Sequence, residues 1–321
     1  MELNSAAIVA FKTKYDTEFN KAFELADTNY EKAALVFNSG RVETVQHRWM
    51  KGFKGMREFV GARQINNVDS NGFAVSNKLW EDTLGIRRVD LERDQYGIYM
   101  PLVARMGQVA KQHRDKLVFE LLSTAMASAT RAATLSYDSQ AFYGTHTTGR
   151  VTAAAFTNIV TGAGGALADS TLQTGIISLR KRMDNEGNKL AAATAKPLLI
   201  IPPDLEFTAA KLANLSYFPS TQPGSGASSA TNQAAAGENI LKGTFDYVVS
   251  PWLSTTTEWH LTLVDPIFKP IIFQLEQDLE ILAWDKFLHR WADYDELTWG
   301  VRALYNVAVG LPEMVYGAVG A

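Results

Sequence analysis

Cysteine is absent from all 321 residues. That excludes disulfide scaffolds, thiolate metal sites and cysteine nucleophiles, and it fits a reducing compartment. No apolar run reaches the roughly 20 residues of a membrane-spanning helix, so no membrane association is expected. Residues 1–28 lack the cationic start and apolar block of a signal peptide. A strong charge of one sign is also missing. The 31 Lys and Arg against 34 Asp and Glu leave a net charge of −3, no footprint of a dedicated nucleic-acid binder. Internal repeats are lacking too.

Signatures of chemistry are equally scarce. His47, His113, His146, His260 and His289 are scattered without metal-ligand spacing. His260 lies in a strand pattern and is expected to be a satisfied sheet residue. Neither a Gly-x-Ser-x-Gly elbow nor a His-Glu-x-x-His pair occurs. Gly162-Ala163-Gly164-Gly165-Ala166-Leu167 lacks the third glycine of a dinucleotide loop. Asp184 to Lys189 departs from the calcium-loop pattern. No catalytic residue, cofactor site or metal site is therefore expected. Glu276, Asp278, Glu280 and Asp285 form an acidic run that reads as a solvated face.

What is present is a long helix. Pro101 suits a first turn, and Leu102, Met106, Val109, Ala110, Leu117, Leu121 and Ala125 follow at steps of three or four. Arg105, Gln108, Lys111, Gln112, Arg114, Asp115 and Glu120 are expected on the wet face. From Leu117 to Met126 the apolar content widens through Val118, Phe119 and Leu122, so the helix is expected to start amphipathic and end more deeply buried. The pattern predicts one helix from Tyr99 to about Arg131, roughly 45 Å long. Two subdomains are expected from the chain length.

Upstream, Ile8, Phe11, Tyr15, Phe19, Ala22 and Phe23 mark an amphipathic helix, whose phenylalanine stripe suits either the chain's own core or a neighbour. Residues 41–92 read as a hairpin-like excursion. Val42 to Trp49 has strand character, a glycine-punctuated basic stretch and a turn cluster from Asn66 to Gly72 follow, and Phe73, Val75, Leu84, Ile86, Val89 and Leu91 show fragments of period two. An isolated ribbon is marginal in water and needs a surface to lie on. Downstream, Asp169 or Ser170 is expected to cap a helix that stops near Gly187. Leu198 to Ile201 reads as a buried strand, and Pro203-Asp204 opens a helix through Phe207, Ala210 and Leu212. Pro219 to Gly237 has the composition of a mobile loop. Strands follow at Trp259 to Leu263 and Ile271 to Glu276, with the clearest at Leu297, Trp299, Val301, Ala303, Tyr305, Val307 and Val309.

Several stretches, in order, resemble the major head subunit of Mu-like tailed phages, a branch of the HK97-fold capsid proteins. Arg57-Glu58-Phe59-Val60-Gly61-Ala62-Arg63 resembles the family's Arg-Glu-aromatic-apolar-Gly-x-Arg. Asp94-Gln95-Tyr96-Gly97-Ile98-Tyr99 resembles the entry into its spine helix, and Tyr137-Asp138-Ser139-Gln140-Ala141-Phe142 its Tyr-Asp-Gly-Gln-x-Phe. Val249 to Leu253, Lys269 to Gln274 and Trp299 to Ala303 are similar to its later strands. After Phe142 the chain departs from the family: Gly144-Thr145-His146-Thr147 stands where an acidic residue and His-Pro are usual.

The resemblance implies an α+β fold with an N-terminal arm (1–40), an extended loop (41–95), a peripheral domain with the spine helix (96–189), an axial domain (190–268) and returning C-terminal strands (269–321). It implies a non-enzymatic shell subunit that tiles an icosahedral head as pentamers and hexamers around double-stranded DNA. Portal and scaffold or protease proteins, and in some cases a decoration protein, are the implied partners. The subunit would be assembled in the host cytoplasm and end in the virion. Within the loop, Lys51, Phe53, Lys54, Met56, Arg57, Phe59 and Arg63 are the expected inter-subunit contacts, with the acids around Glu276 to Asp285 as one candidate receptor. Lys51 and Lys54 also occupy the region of the donor in shells with Lys–Asn crosslinks, with Asn306 as an example acceptor; no spacing supports that pairing. The alternative from another class is a soluble α+β enzyme with an acidic active site.

Overall fold

The computed structural model describes residues 5–51, 73–93, 97–147, 155–184, 187–190, 195–218, 237–282 and 294–320. In chain order the elements begin with helices α1 (Ser5–Leu25) and α2 (Tyr30–Ala33) and strands β1 (Ala34–Asn38) and β2 (Thr44–His47). Strands β3 (Phe73–Ser76) and β4 (Lys78–Arg87) lead to helices α3 (Arg88–Arg93) and α4 (Met100–Met126). Short strands β5 (Thr145–His146), β6 (Phe156–Thr157) and β7 (Ile159–Thr161) precede α5 (Asp169–Lys181), β8 (Leu198–Ile201) and α6 (Glu206–Asn214). Then come β9 (Tyr217–Phe218), β10 (Gly237–Glu238), β11 (Asp246–Val249), β12 (Glu258–Thr262), β13 (Ile271–Ile281), β14 (Glu296–Val309) and β15 (Val315–Val319). Among the described residues no helix is long and apolar enough to cross a membrane.

The chain divides into two compact units. The first holds 1–47, 72–118 and 271–308; the second holds 48–71, 119–270 and 309–321.

The first unit is built on a four-stranded sheet in the order β1-β13-β14-β4. Strand β1 runs parallel to β13, and β14 pairs antiparallel with β4 over Glu296↔Arg87 to Tyr305↔Lys78. Strand β14 follows the predicted alternation in its middle, where Val301, Ala303 and Tyr305 are buried and Arg302 and Leu304 only partly so. From Leu297 to Val301 every residue is buried, Thr298 and Gly300 included, and Val307 is only partly buried. Helix α1 packs its aromatic stripe on the chain's own core, so of the two placements open to it the intramolecular one holds. Tyr15 and Phe19 are buried, Phe11 and Phe23 flank them, and the Phe19 and Trp299 ring centroids lie 5.1 Å apart.

Helix α4 departs from its sequence reading in two ways. It ends at Met126, not near Arg131. No proline or glycine stops it; instead Thr130 Oγ1 donates to the Thr124 carbonyl, and Arg131 Nη2 donates to the Met126 carbonyl at 3.1 Å. Side chains thereby satisfy carbonyls that a further turn would have used. Its first half also buries a different face from the predicted one: Val103 is buried beside Met106, whereas Leu102 and Val109 are 51% and 44% exposed. From Val118 on the helix is deeply covered, as its widening apolar content suggests, with Val118, Phe119, Leu122, Ala125 and Met126 buried. The change of face has a cause: Gly107 sits on α1 so closely that a Cβ there would lie 2.6 Å from the Phe19 carbonyl oxygen. Arg114 and Asp115, expected on the wet face, are buried on the same side.

Two further expectations change. Val89 and Leu91 lie in helix α3 rather than continuing the period-two strand pattern. Strand β12 is buried at every position, on both faces, rather than on alternate ones.

The second unit is built on a five-stranded mixed sheet in the order β11-β8-β12-β15-β7. Strand β8 is buried throughout, as its short continuous apolar run suggests. Helix α5 covers the sheet with Leu172, Ile176 and Leu179. Its N-cap is Ala168 rather than Asp169 or Ser170, and Thr171 Oγ1 accepts the Ala168 N–H at 2.9 Å. Helix α6 forms where expected and buries Leu212 as expected, but Phe207 is 77% exposed, and Ala209 rather than Ala210 is fully buried. The Gly162–Gly165 stretch forms a single helical turn. Gly165 packs on β15, where a Cβ would meet the Val319 carbonyl oxygen at 2.1 Å, and its own carbonyl accepts Trp259 Nε1–H at 2.7 Å. Close packing accounts for that glycine. Residues 219–236, read from composition as a mobile loop, lie outside the described residues.

The turn at Tyr137 to Phe142 explains a glycine in the related motif. Ser139 has φ +61°, the left-handed region that costs an L-residue roughly 1–2 kcal/mol. Asp138 holds the turn by accepting the Gln140 N–H at 3.1 Å and by pairing with buried His146 Nδ1 at 2.6 Å. Ser139→Gly is therefore expected to stabilise the protein by about 0.5–1 kcal/mol, after the greater freedom of glycine in the unfolded chain is counted. A melting temperature unchanged or lowered by the substitution would show that the turn carries no such strain.

Candidate assembly surfaces

Of the expected loop contacts, Phe53, Lys54, Met56, Arg57, Phe59 and Arg63 lie outside the described residues. Lys51 closes a single 3-10 turn, Arg48–Lys51, and its side chain is likewise outside them. The base of the excursion is described. Strands β2 and β3 pair antiparallel from Thr44↔Ser76 to His47↔Phe73, the two-stranded ribbon that the sequence suggested. Thr44 and Ser76 hydroxyls meet at 2.8 Å, and Asn306 Nδ2 donates to the Ser76 carbonyl at 2.7 Å. The Asn306 carboxamide is thus engaged within its own unit.

The ribbon is tied to the sheet through polar side chains in a buried setting. Gln274, in the middle of β13, is fully buried. Its Nε2 donates to the Val75 carbonyl at 3.1 Å and to Asn77 Oδ1 at 2.9 Å. His47 Nε2 lies 3.1 Å from Gln274 Oε1. Burial lowers the His47 pKa, with the Gln274 contact opposing the shift. Asn77 Nδ2 in turn reaches Ser39 Oγ, the Val42 carbonyl and Glu276 Oε2 at 3.0–3.1 Å. Sequence reasoning placed Gln274 on the polar side of an alternating strand and so missed it.

The acidic run is spent largely on the chain itself. Glu276 accepts from Asn77, Asp278 pairs with Arg114, and Glu280 pairs with Arg302 at 2.8 Å. Asp285 lies outside the described residues. Exposed pairs of this kind contribute about 0–1 kcal/mol. They nonetheless reduce the negative charge that a cationic loop would meet. Among the described residues no three His, Cys, Asp or Glu side chains converge as a metal site.

Charged residues of α4 fasten the segment after α1. Asp115 accepts the N–H groups of Asn29 and Tyr30 at 2.8–3.0 Å, capping α2 from more than 80 residues away. Burial pushes the Asp115 pKa up, against the lowering by those two bonds. Lys111 Nζ donates to the Glu24 carbonyl at 3.1 Å. Beside them Tyr305 OH meets His113 Nδ1 at 2.7 Å, and Trp80 Nε1 donates to the Tyr305 carbonyl at 2.9 Å. Burial pushes Tyr305 up to about 12 and lowers His113.

Apolar side chains remain uncovered in both units. Leu102 and Val109 lie on one side of α4 at 51% and 44% exposure, and Leu79 projects from edge strand β4. In the second unit Phe207, Ile240 and Ile267 are exposed. Strands β1 and β4 form the edges of one sheet, β11 and β7 those of the other.

His260 differs from its expectation. Its Nδ1 meets Tyr143 OH at 2.7 Å, but its buried Nε2 has no hydrogen-bond partner among the described residues. Burial lowers its pKa to about 3 from 6.5. The folded form therefore resists a proton that the unfolded chain accepts. Stability is full above about pH 6.5 and falls as the pH drops toward 3, by roughly 2 kcal/mol between pH 6.5 and pH 5. Urea denaturation of His260→Gln should show a flatter dependence across that interval; an unchanged slope would assign the acid sensitivity elsewhere.

Residues 8–167 match the family model described as Mu-like prophage major head subunit gpT. The major capsid protein of Escherichia phage Mu is 34% identical over 143 residues, covering 44% of this chain and 45% of that protein. The Mu-like prophage FluMu major head subunit of Haemophilus influenzae is 29% identical over 131 residues, covering 41% and 40%. The match thus spans less than half of either relative. By fold, a chain of the bacteriophage JBD30 procapsid aligns over 99% of this chain and 76% of its own, with TM-score 0.53 and 22% identity. The capsid structure of cyanophage P-SCSP1u aligns over 92% and 89%, with TM-score 0.54 and 12% identity. Residues 8–167 are therefore similar to the Mu-like prophage major head subunits, and an HK97-like capsid fold runs through nearly the whole length of the chain.

Proposed function

We propose that this chain is a major capsid protein, which self-assembles as pentamers and hexamers into an icosahedral phage head around double-stranded DNA. The observation that carries the reading is the overlap of two independent likenesses. The sequence match lies in residues 8–167, and the shared fold continues through the C-terminal strands beyond it. In this reading α4 is the spine helix and the β2–β3 ribbon is the base of an extended loop. The tip from Lys51 to Arg63 lies on a neighbouring subunit. Residues 1–40 form the arm, 96–189 the peripheral domain and 190–268 the axial domain, with 269–321 returning to the core. The exposed apolar side chains of both units become subunit contacts. The role is structural rather than enzymatic. Packaged DNA is contacted without sequence preference, as a net charge of −3 suits. Portal, scaffold or protease, and decoration proteins are proposed partners, with assembly in the host cytoplasm and residence in the virion. Light scattering across concentration and salt tests the reading. Rings or shells are expected, and a species of 35.4 kDa under every condition would refute it.

A further inference from the structure

We propose that Gln274 is a positioning residue whose buried carboxamide fixes the direction in which the β2–β3 ribbon leaves the sheet of the first unit. The proposal deepens the assembly reading, and its consequence for shells rests on that reading.

A glutamine in mid-strand, between apolar Phe273 and Leu275, is costly to bury unless every polar atom is satisfied. Here they are. Both hydrogens of Nε2 are used, on the Val75 carbonyl and on Asn77 Oδ1. That leaves Oε1 as the acceptor and assigns the proton of His47 to Nε2. One side chain therefore grips both strands of the ribbon: β2 through His47, β3 through Val75, and the following residue through Asn77. Asn77 passes the restraint on to Ser39, Val42 and Glu276, around the opposite end of β2.

Apolar packing alone would not set an angle. Val75 is buried at the base and the Phe37 and His47 rings meet edge-on at 5.0 Å, but such contacts tolerate sliding. Hydrogen bonds to a carboxamide do not, because their geometry is directional. A fully satisfied buried network selects one arrangement over its neighbours. Residues 52–72 leave from and return to this base, so its angle sets the direction in which they start. The base angle then determines where a loop tip can land on a second copy of the chain.

The absence of cysteine makes the test clean. Spin labels are placed through Ala74→Cys on the ribbon and Gln108→Cys on α4, both exposed, and the labelled chain is diluted with unlabelled chain. With Gln274 intact a single narrow distance distribution is expected. Gln274→Leu, which keeps the volume and removes the three bonds, should broaden or shift it while the circular dichroism spectrum is retained. Asn77→Ala, at a partly exposed site, should broaden it less, and it decides the matter should the Leu variant fail to fold. A narrow, unshifted distribution in a folded variant overturns the proposal. Shells are scored separately by microscopy: uniform particles from the parent chain and irregular or open ones from Gln274→Leu are expected. Uniform closed shells from a variant with a broadened ribbon would remove the link to assembly. A parent chain that forms no shell at all refutes the capsid reading, whereas the distance result still decides the role of Gln274 at the ribbon base.

Discussion

A Val103→Asp variant is expected to yield almost no folded protein, whereas Leu102→Asp, one residue earlier, should fold like the parent. Val103 is fully buried in the cluster that joins α4 to Phe19 and Trp299, while Leu102 is 51% exposed. A carboxylate forced into the first setting has no partner and costs several kcal/mol, much of the 5–15 kcal/mol that holds a typical domain together. At the second setting a surface change stays within about 0.5 kcal/mol. Soluble yield and thermal melting of the two variants decide the outcome. Similar behaviour of both would mean that the face of α4 is misassigned. Because Leu102 and Val109 are exposed on one side of α4, the folded Leu102→Asp variant is also expected to assemble poorly.

Trp299→Ala should cost the protein about 3–5 kcal/mol, the usual range for removing a large buried aromatic. Trp299 is 1% exposed at the centre of the first unit, packs on Phe19 and donates its Nε1–H to Asp16 Oδ1 at 2.8 Å. It ties α1 to the sheet by packing and by a hydrogen bond at once. Trp299→Phe keeps most of the packing and loses the bond, so it should cost about 1–2 kcal/mol. Chemical denaturation of unassembled protein measures both. Equal losses would show that the hydrogen bond, and not the ring, holds α1 in place.

The periodicity of the chain made much of the fold legible. The middle of strand β14 and the helix stripe from Phe11 to Phe23 sit as their apolar spacing dictates, because each has one covered face there. Near Thr298 and Gly300 the strand is covered on both faces, which alternation does not show. The ribbon base was legible from a different signal, two short strand patterns around a turn cluster. What pattern reasoning missed has a common origin. Arg114, Asp115 and Gln274 look like surface residues by type, yet each is buried because its polar atoms find partners far away in sequence, in Tyr30, Asn29 and Val75. Long-range hydrogen bonds leave no periodic trace. Gly107 misled in the same way: a residue that counts as neither apolar nor polar set the rotation of α4 through one close backbone contact. The assembly contacts were legible only through the resemblance, because a cationic, aromatic stretch such as Lys51 to Arg63 carries no stripe that names its receptor.

The central claim is that this chain builds a shell, and negative-stain microscopy of the purified full-length protein tests it most directly. Closed icosahedral particles, or the five- and six-membered rings from which they form, are the predicted result. Dispersed particles of single-chain size at every concentration and salt would contradict it.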